Sequence, residues 1–337
     1  MLMRSEAMMR HLLHLLIVLP VLIYHDRASA QGCSDAGVCT AGPIGQPALP
    51  QDSAVGGPKR HFARLQYSYA IGEQGVVIMQ VVPEVSIGIT ERLAVQAKLP
   101  YVMADGDLGQ NSGIGDLVAT ASYRFIKQDD RDLTGILGMR VPTGRFVPES
   151  FEKATYGPTA HPLPMPYQVG LGTTDLLLGL QYRYERISAA FAYQHVLKQD
   201  NQSTFLHRYW ADVPAAASYF ESFALERADD AVLRLQYAAP FGRLIVQPGL
   251  LGILHMGKDS RSEDPNTLDL IRDRPFQRRE IDGSEGLTLN LTADMRYKLS
   301  SSWWLEASVG SPLVVREVRP DGLTRSVVTN VGLRFAF

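Results

Sequence analysis

The side chains able to do chemistry in this 337-residue sequence are scattered along it. Beyond residue 30, histidine occurs at His61, His161, His195, His207 and His255. An imidazole becomes a catalytic base when a nucleophile and an orienting group stand within reach of it. No G-x-S-x-G turn accompanies these histidines, and the S-x-x-K spacing of Ser150 and Lys153 lies in a Pro-rich stretch without its partner motifs. His195 and His255 fall near strand ends, where a lipid-active base could sit. Asp105, Asp107, Asn111 and Asp116 could gather round a calcium ion, but their spacing departs from the EF-hand loop and reads as a solvated loop. Gly113-Ile114-Gly115 and Gly170-Leu171-Gly172 have the composition of phosphate cradles. Each leads into a strand, whereas a dinucleotide fingerprint leads into a helix, so both read as strand-entry turns. No catalytic residue, metal ligand or cofactor contact is assigned, and the chain reads as a non-enzyme.

The elements that carry these residues follow from composition and period. The 33 basic and 35 acidic side chains nearly cancel, which leaves no case for a nucleic-acid partner. Mean hydropathy is -0.06 and no long apolar run follows residue 24, so a bundle of spanning helices is excluded. Arg4 and Arg10 precede an apolar segment over 12–24, and Ala28-Ser29-Ala30 offers a cleavage site. Residues 1–30 therefore read as a signal peptide directing export through the periplasm. Residues 31–59 read as a periplasmic segment and Gly/Pro-rich linker. Within it, Cys33 and Cys39 are expected to form a small-loop disulfide in an oxidising compartment.

From residue 60 to residue 337 the hydrophobic period is two. Over 287–299, Leu287, Leu289, Leu291, Ala293, Met295, Tyr297 and Leu299 alternate with Thr288, Asn290, Thr292, Asp294, Arg296 and Lys298. Side chains alternate across a strand, so one face is apolar and the other polar. The spacing predicts twelve strands, near 60–70, 75–90, 91–103, 113–126, 133–146, 172–185, 186–199, 231–241, 242–257, 285–299, 301–317 and 322–337. Their length matches the ~9–11 residues that cross a bilayer better than the ~5–6 of soluble sheets. Tight turns alternate with longer excursions at 104–112, 147–171, 200–230 and 258–284. Aromatics gather at the tight-turn rim (Tyr123, Phe125, Tyr182, Tyr184, Tyr237, Phe241, Tyr297, Trp303, Phe335, Phe337), with Tyr67, Tyr69, Tyr101 and Tyr193 as a looser second ring. The expected fold is all-β: a transmembrane antiparallel up-and-down barrel of about twelve strands in the bacterial outer membrane.

That fold turns one set of residues inward: Arg64, Glu84, Lys98, Asp116, Arg124, Arg140, Asp175, Arg183, Glu185, Arg234, Asp294, Arg296, Lys298, Glu306 and Arg334 are the expected lumen lining. Slipping strand 287–299 by one residue would turn Asp294, Arg296 and Lys298 toward lipid, at up to ~2–4 kcal/mol each. Strand number does not decide openness, since about 8 strands can be filled by side chains and 16–18 leave a channel. The terminal Val331, Leu333, Phe335 and Phe337 resemble the signal read by the barrel assembly machinery. Outer-membrane lipid is the second expected partner; Arg272, Arg274, Arg278 and Arg279 could contact lipopolysaccharide phosphates, although the charge run reads first as a solvated outer loop.

Gly113-Ile114-Gly115-Asp116-Leu117, Met139-Arg140-Val141-Pro142-Thr143-Gly144 and Gly170-Leu171-Gly172-Thr173-Thr174-Asp175-Leu176 together resemble the outer-membrane barrel family named for the MetA pathway of phenol degradation. The resemblance covers residues 60–337. It implies a barrel that handles hydrophobic or aromatic compounds, and it carries no catalytic residues. The expected function is passive passage of a small-molecule solute through the lumen. The alternatives are a closed structural or adhesion barrel working through its outer loops, and a lipid-active enzyme.

Overall fold

The computed structural model describes residues 61–144, 161–263, 277–323 and 325–337. Residues 1–60, with Cys33 and Cys39, lie outside them, as do Ser150, Lys153, Arg272 and Arg274.

The expected alternation is realised as strands. In chain order they are β1 (Phe62–Gly72), β2 (Val77–Gly88), β3 (Leu93–Lys98), β4 (Tyr101–Gly106), β5 (Gly109–Ile114), β6 (Leu117–Lys127), β7 (Arg131–Val141), β8 (Thr173–Tyr184) and β9 (Ile187–Gln199). There follow β10 (Asp230–Tyr237), β11 (Ala239–Phe241), β12 (Leu244–His255), β13 (Ser260–Ser262), β14 (Arg278–Glu280), β15 (Gly286–Lys298), β16 (Trp303–Val314) and β17 (Arg325–Ala336). The pairs β3 and β4, β5 and β6, and β10 and β11 each run end to end as one ribbon, so the wall is a closed antiparallel barrel of twelve strands. Closure is made by β1, whose Phe62 lies opposite Ala336 of β17 on one side and Ser86 of β2 on the other.

Prolines mark two of the interruptions. Pro100 has no N–H to give the ladder, so the third ribbon breaks there, and Gly115 N donates to Pro100 O at 2.7 Å across the break. Pro248 in β12 faces the gap between β10 and β11, where Ala238 N turns to Arg186 O at 2.7 Å. β4 and β5 form a hairpin through Gly106 and Gly109, so the expected excursion at 104–112 is strand. Asp105, Asp107 and the glycines give that hairpin the composition of a loop. Gly113 and Gly115 consequently sit inside a ribbon, not at a strand entry; Gly172 does precede β8.

Tight turns, with residue 61 and the C-terminus, occupy one end of the barrel. The other end carries the described loop segments 142–144 and 161–172, 200–229, 256–263 and 277–285, and 315–323, together with the short turns 73–76 and 107–108. On β15, Leu287, Leu291 and Tyr297 are 37–47% exposed outside while Thr288 and Arg296 are 0% and 2% exposed inside. Tyr123, Phe125, Tyr182, Tyr184, Tyr237, Phe241, Trp303 and Phe337 are also exposed on the outer face near the tight turns.

This split of faces gives an expected outcome for a single charge. With the protein folded into phospholipid vesicles, Leu291→Arg lowers stability in urea titrations by about 2–4 kcal/mol if its site is near the bilayer midplane. An unchanged midpoint would mean that the exposed row of β15 does not meet hydrocarbon.

Candidate functional site

The barrel interior brings the polar half of each strand together, and it is ordered in tiers. Nearest the tight turns, Arg64 pairs with Glu84, which also accepts from Gln96 Nε2. Glu306 gathers Arg64 Nη1 at 3.3 Å, Arg296 Nε at 3.5 Å and Arg334 Nη1 at 3.8 Å. Asp294 accepts Arg234 Nη2 at 2.6 Å and Gln236 Nε2 at 2.8 Å. The Arg334 guanidinium also lies 3.9 Å over the Phe62 ring, a cation–π contact. Lys98 and Arg183 are buried in this half as well, beside the carboxylates Glu84, Asp294 and Glu306. Charges buried this deeply are tolerated because each meets an opposite charge or a fixed dipole.

Above this tier, along one wall, the inward residues become apolar. Val118, Ile136, Leu177, Ala190, Ala192, Val232, Leu251 and Ile253 form a buried cluster on β6 to β10 and β12. Toward the tight turns the same strands present polar inward side chains, among them Thr120, Thr134, Gln181 and Arg234. Toward the long loops the same strands present Asp116, Arg140, Asp175, Gln194, Asp230 and His255, all buried. The apolar band is therefore bounded above and below by polar groups.

The outer tier joins the two glycine-aspartate segments singled out in the sequence and the segment 139–144 between them. Asp116 accepts N–H groups from Gly144 at 3.2 Å and Leu171 at 3.0 Å. Thr143 Oγ1 donates to Gly115 O at 2.7 Å and accepts from Leu117 N at 2.9 Å. Arg140 pairs with Asp175, donates to Thr173 Oγ1 at 2.7 Å, and has its Nε 4.0 Å from Asp116. A side chain at position 170 would run into the Asp116 carboxylate, so glycine is needed for the close approach. Together these contacts tie down residues 161–171 as a strap laid inside the wall.

The strap and loop 200–229 fill the long-loop end. Leu163, Tyr167, Val169, Phe205, Trp210, Ala216 and Tyr219 pack with the inward Ile78, Val102 and Ala104 and with Leu108. Tyr167 Oη accepts from Leu108 N at 3.1 Å and lies 3.2 Å from Tyr219 Oη; Trp210 Nε1 donates to Pro162 O at 2.7 Å. Burial pushes both phenols above their ordinary pKa, and Tyr219 is the more strongly shifted. Gly322 carries φ 69°, and a Cβ there would lie 2.5 Å from Pro166 N, so loop 315–324 presses directly on the strap. Beside it, burial holds the Glu73 carboxyl up at about 7 against the pull of Arg319.

Of the residues expected to line the lumen, Glu84, Lys98, Asp116, Arg140, Asp175, Arg183, Arg234, Asp294 and Arg296 are buried in the interior, and Arg64, Glu306 and Arg334 are nearly so. Arg124 and Lys298 sit at the tight-turn rim, the first paired with Asp132 at 2.9 Å and the second 5.4 Å over the Trp304 ring. Glu185 differs: it is an exposed turn residue with φ 49°, because the two-residue connection from β8 to β9 needs that conformation there. Asn111 and Asp116 are engaged by the strap, Asn111 Nδ2 donating to Tyr167 O at 2.8 Å. Val331, Leu333 and Phe337 are exposed on the outer face, and Phe335 packs 4.7 Å from the Trp303 ring. His195 is on the outer surface, its Nδ1 2.8 Å from Asp229, while His255 is buried inside. The sequence reading missed Arg227, Asp259, Arg316 and Asp321, which lie in loops and carry no periodic signal.

No protein-family model and no curated protein matches the sequence. Among solved structures, the chain is similar to the COG4313 outer membrane channel from Pseudomonas putida F1, with TM-score 0.57 and 14% identity over 86% of this chain and 100% of that one. It is more distantly similar to the NanC porin, at TM-score 0.43 and 8% identity over 82% and 100%, and to the KdgM porin, at 0.41 and 7% over 82% and 99%. At these identities the likeness concerns the fold.

Two outcomes follow for the strap. Asp116→Ala strands the Gly144 and Leu171 N–H groups and should cost about 1–3 kcal/mol, read as faster proteolysis within 161–171; unchanged protection would mean that the strap is held elsewhere. Glu73 has a folded pKa raised from 4.5 to about 7, so its burial is tolerated best below pH 4.5 and least above 7. Packing of turn 73–76 should therefore loosen as pH rises through that window, and hydrogen exchange of its amides, corrected for intrinsic rates, should lose this step in Glu73→Gln.

Proposed function

We propose that this chain is a bacterial outer-membrane channel through which small molecules pass passively. Support comes from the apolar outer face of a closed barrel, its charged interior, and a fold shared with an outer membrane channel. The observation that carries the reading of what passes is the inward apolar band between two ionic tiers. Leu177, Val232, Leu251 and Ile253 are each 1% exposed, so a solute with an apolar or aromatic body meets them, and its polar end the arginines below, only once the interior opens. This agrees with the hydrophobic or aromatic compounds implied by the resemblance to the MetA-pathway barrels. The strap and loops 200–229 and 315–324 occupy the mouth, so passage requires them to move.

The same reading assigns Val331, Leu333, Phe335 and Phe337 to recognition by the barrel assembly machinery, and Arg278 and Arg279 on β14 to lipopolysaccharide. It places Cys33 and Cys39 in a disulfide on the periplasmic side. No catalytic step is assigned: His195 bonds Asp229 and stacks on Tyr193 at 6.2 Å.

The filled mouth also favours a second reading, a closed structural or adhesion barrel. Reconstituted liposomes separate the two. The channel reading expects uptake of small aromatic solutes, raised by deleting residues 200–228 to clear the mouth. A barrel that stays sealed to a panel of solutes both before and after that deletion would be the closed one.

A further inference from the structure

His255 closes β12 at the long-loop mouth, with its side chain 1% exposed. Its Nδ1 lies 2.7 Å from Asp230 Oδ1 and its Nε2 lies 2.8 Å from Asp259 Oδ1. A carboxylate only accepts, and a neutral imidazole has one N–H. Neither acceptor has a proton to return. Asp230 Oδ2 is taken by Arg227 Nη2 at 3.0 Å; Asp259 Oδ1 also accepts Ala228 N at 3.1 Å, and its Oδ2 faces Arg316 Nη1 at 3.7 Å. The ring is therefore satisfied in this geometry as the imidazolium.

The surrounding charges come from every element packed on it. Asp230 belongs to β10, Asp259 to segment 256–263, Arg227 to loop 200–229, and Arg316 and Asp321 to segment 315–323. Asp321 ties the last two loops together, accepting Arg227 Nη2 at 3.1 Å and Arg316 Nη2 at 2.5 Å. Burial alone would raise the Asp321 carboxyl; Arg316 and Arg227 outweigh burial and hold it well below the usual range. With His255 charged, three cations face three carboxylates. Without its proton one negative charge is left over where every member is at most 4% exposed, a costly state without solvent.

We propose that His255 is a proton-operated latch for the lid of the barrel, pinning segments 200–229, 256–263 and 315–323 together while protonated and freeing Asp259 and its segment when the proton leaves. Loop 315–324 presses on the strap through Gly322, so release of the latch also unloads residues 163–167. The consequence for solute passage rests on the channel reading; the latch itself does not.

The test uses the full chain in lipid vesicles and follows hydrogen exchange, corrected for intrinsic rates, from below the ordinary histidine pKa of about 6.5 well into the alkaline range. Peptides covering 224–230, 256–263 and 316–323 should exchange about tenfold faster on the alkaline side, with the strands of β6 to β8 unchanged. Glu73→Gln should keep this step, and His255→Gln should abolish it. Absence of the step in the wild type, or its persistence in His255→Gln, overturns the proposal. Should His255→Gln fail to fold, the ring nitrogens of the wild type decide by NMR: both protonated while the loops are protected supports the latch, and a neutral ring under protected loops overturns it. A step in loop exchange with no solute flux at any pH would sink the channel reading and leave the latch standing.

Discussion

A strand's backbone donors and acceptors point sideways, and a strand in hydrocarbon has no water with which to satisfy them. Closure of the sheet is therefore the condition for everything else in this molecule. It is met where β1 pairs with both β17 and β2, and beside the interruptions at Pro100 and Pro248 the amides of Gly115 and Ala238 donate to Pro100 O and Arg186 O. With the edges gone, the alternation of side chains sorts the residues into two environments. Exposed Leu, Val, Tyr and Phe cover the outer face, while Arg, Asp, Glu, Gln and Thr go inward around the one apolar band of Val118, Leu177, Val232, Leu251 and Ile253.

The inward set then has to solve its own problem, because a narrow barrel buries its charges. It does so by compensation within tiers. Glu306 serves three arginines from β1, β15 and β17, and Asp294 serves Arg234 and Gln236 from β10. The outer tier is spent on fixing irregular chain: Asp116 and Arg140 hold the strap, and Asp230, Asp259 and Asp321 hold the loops. The two tiers thus have different duties. One lines the wall near the tight turns, and the other fastens the cover at the opposite mouth, with an apolar band between them.

The division explains what could be read from the sequence. Thr288 to Arg296 face inward as their period demanded, and twelve strands emerged near the expected positions, since period and length are local properties of a strand. Residues 104–112 read as a loop because Asp105, Gly106, Asp107 and Gly109 are turn residues by composition, and only the pairing of β4 with β5 shows the strand there. Glu185 followed the alternation one residue too far, into the turn. The two glycine-aspartate segments and the 139–144 segment between them are recognisable as a group, but their shared role is not, since Asp116 and Leu171 meet only after the strap folds back inside. Arg227, Arg316 and Asp321 were invisible for the same reason: contact between loops leaves no periodic trace.

The partition of faces can be measured on β15 itself. Spin labels placed singly at positions 287 to 297 of the protein in lipid vesicles report contact with oxygen, which concentrates in hydrocarbon, and with a water-soluble nickel chelate. The account predicts oxygen collision rates that rise at 287, 289, 291, 293, 295 and 297 and fall at every position between. Rates without a period of two, or chelate contact on both faces alike, would contradict it.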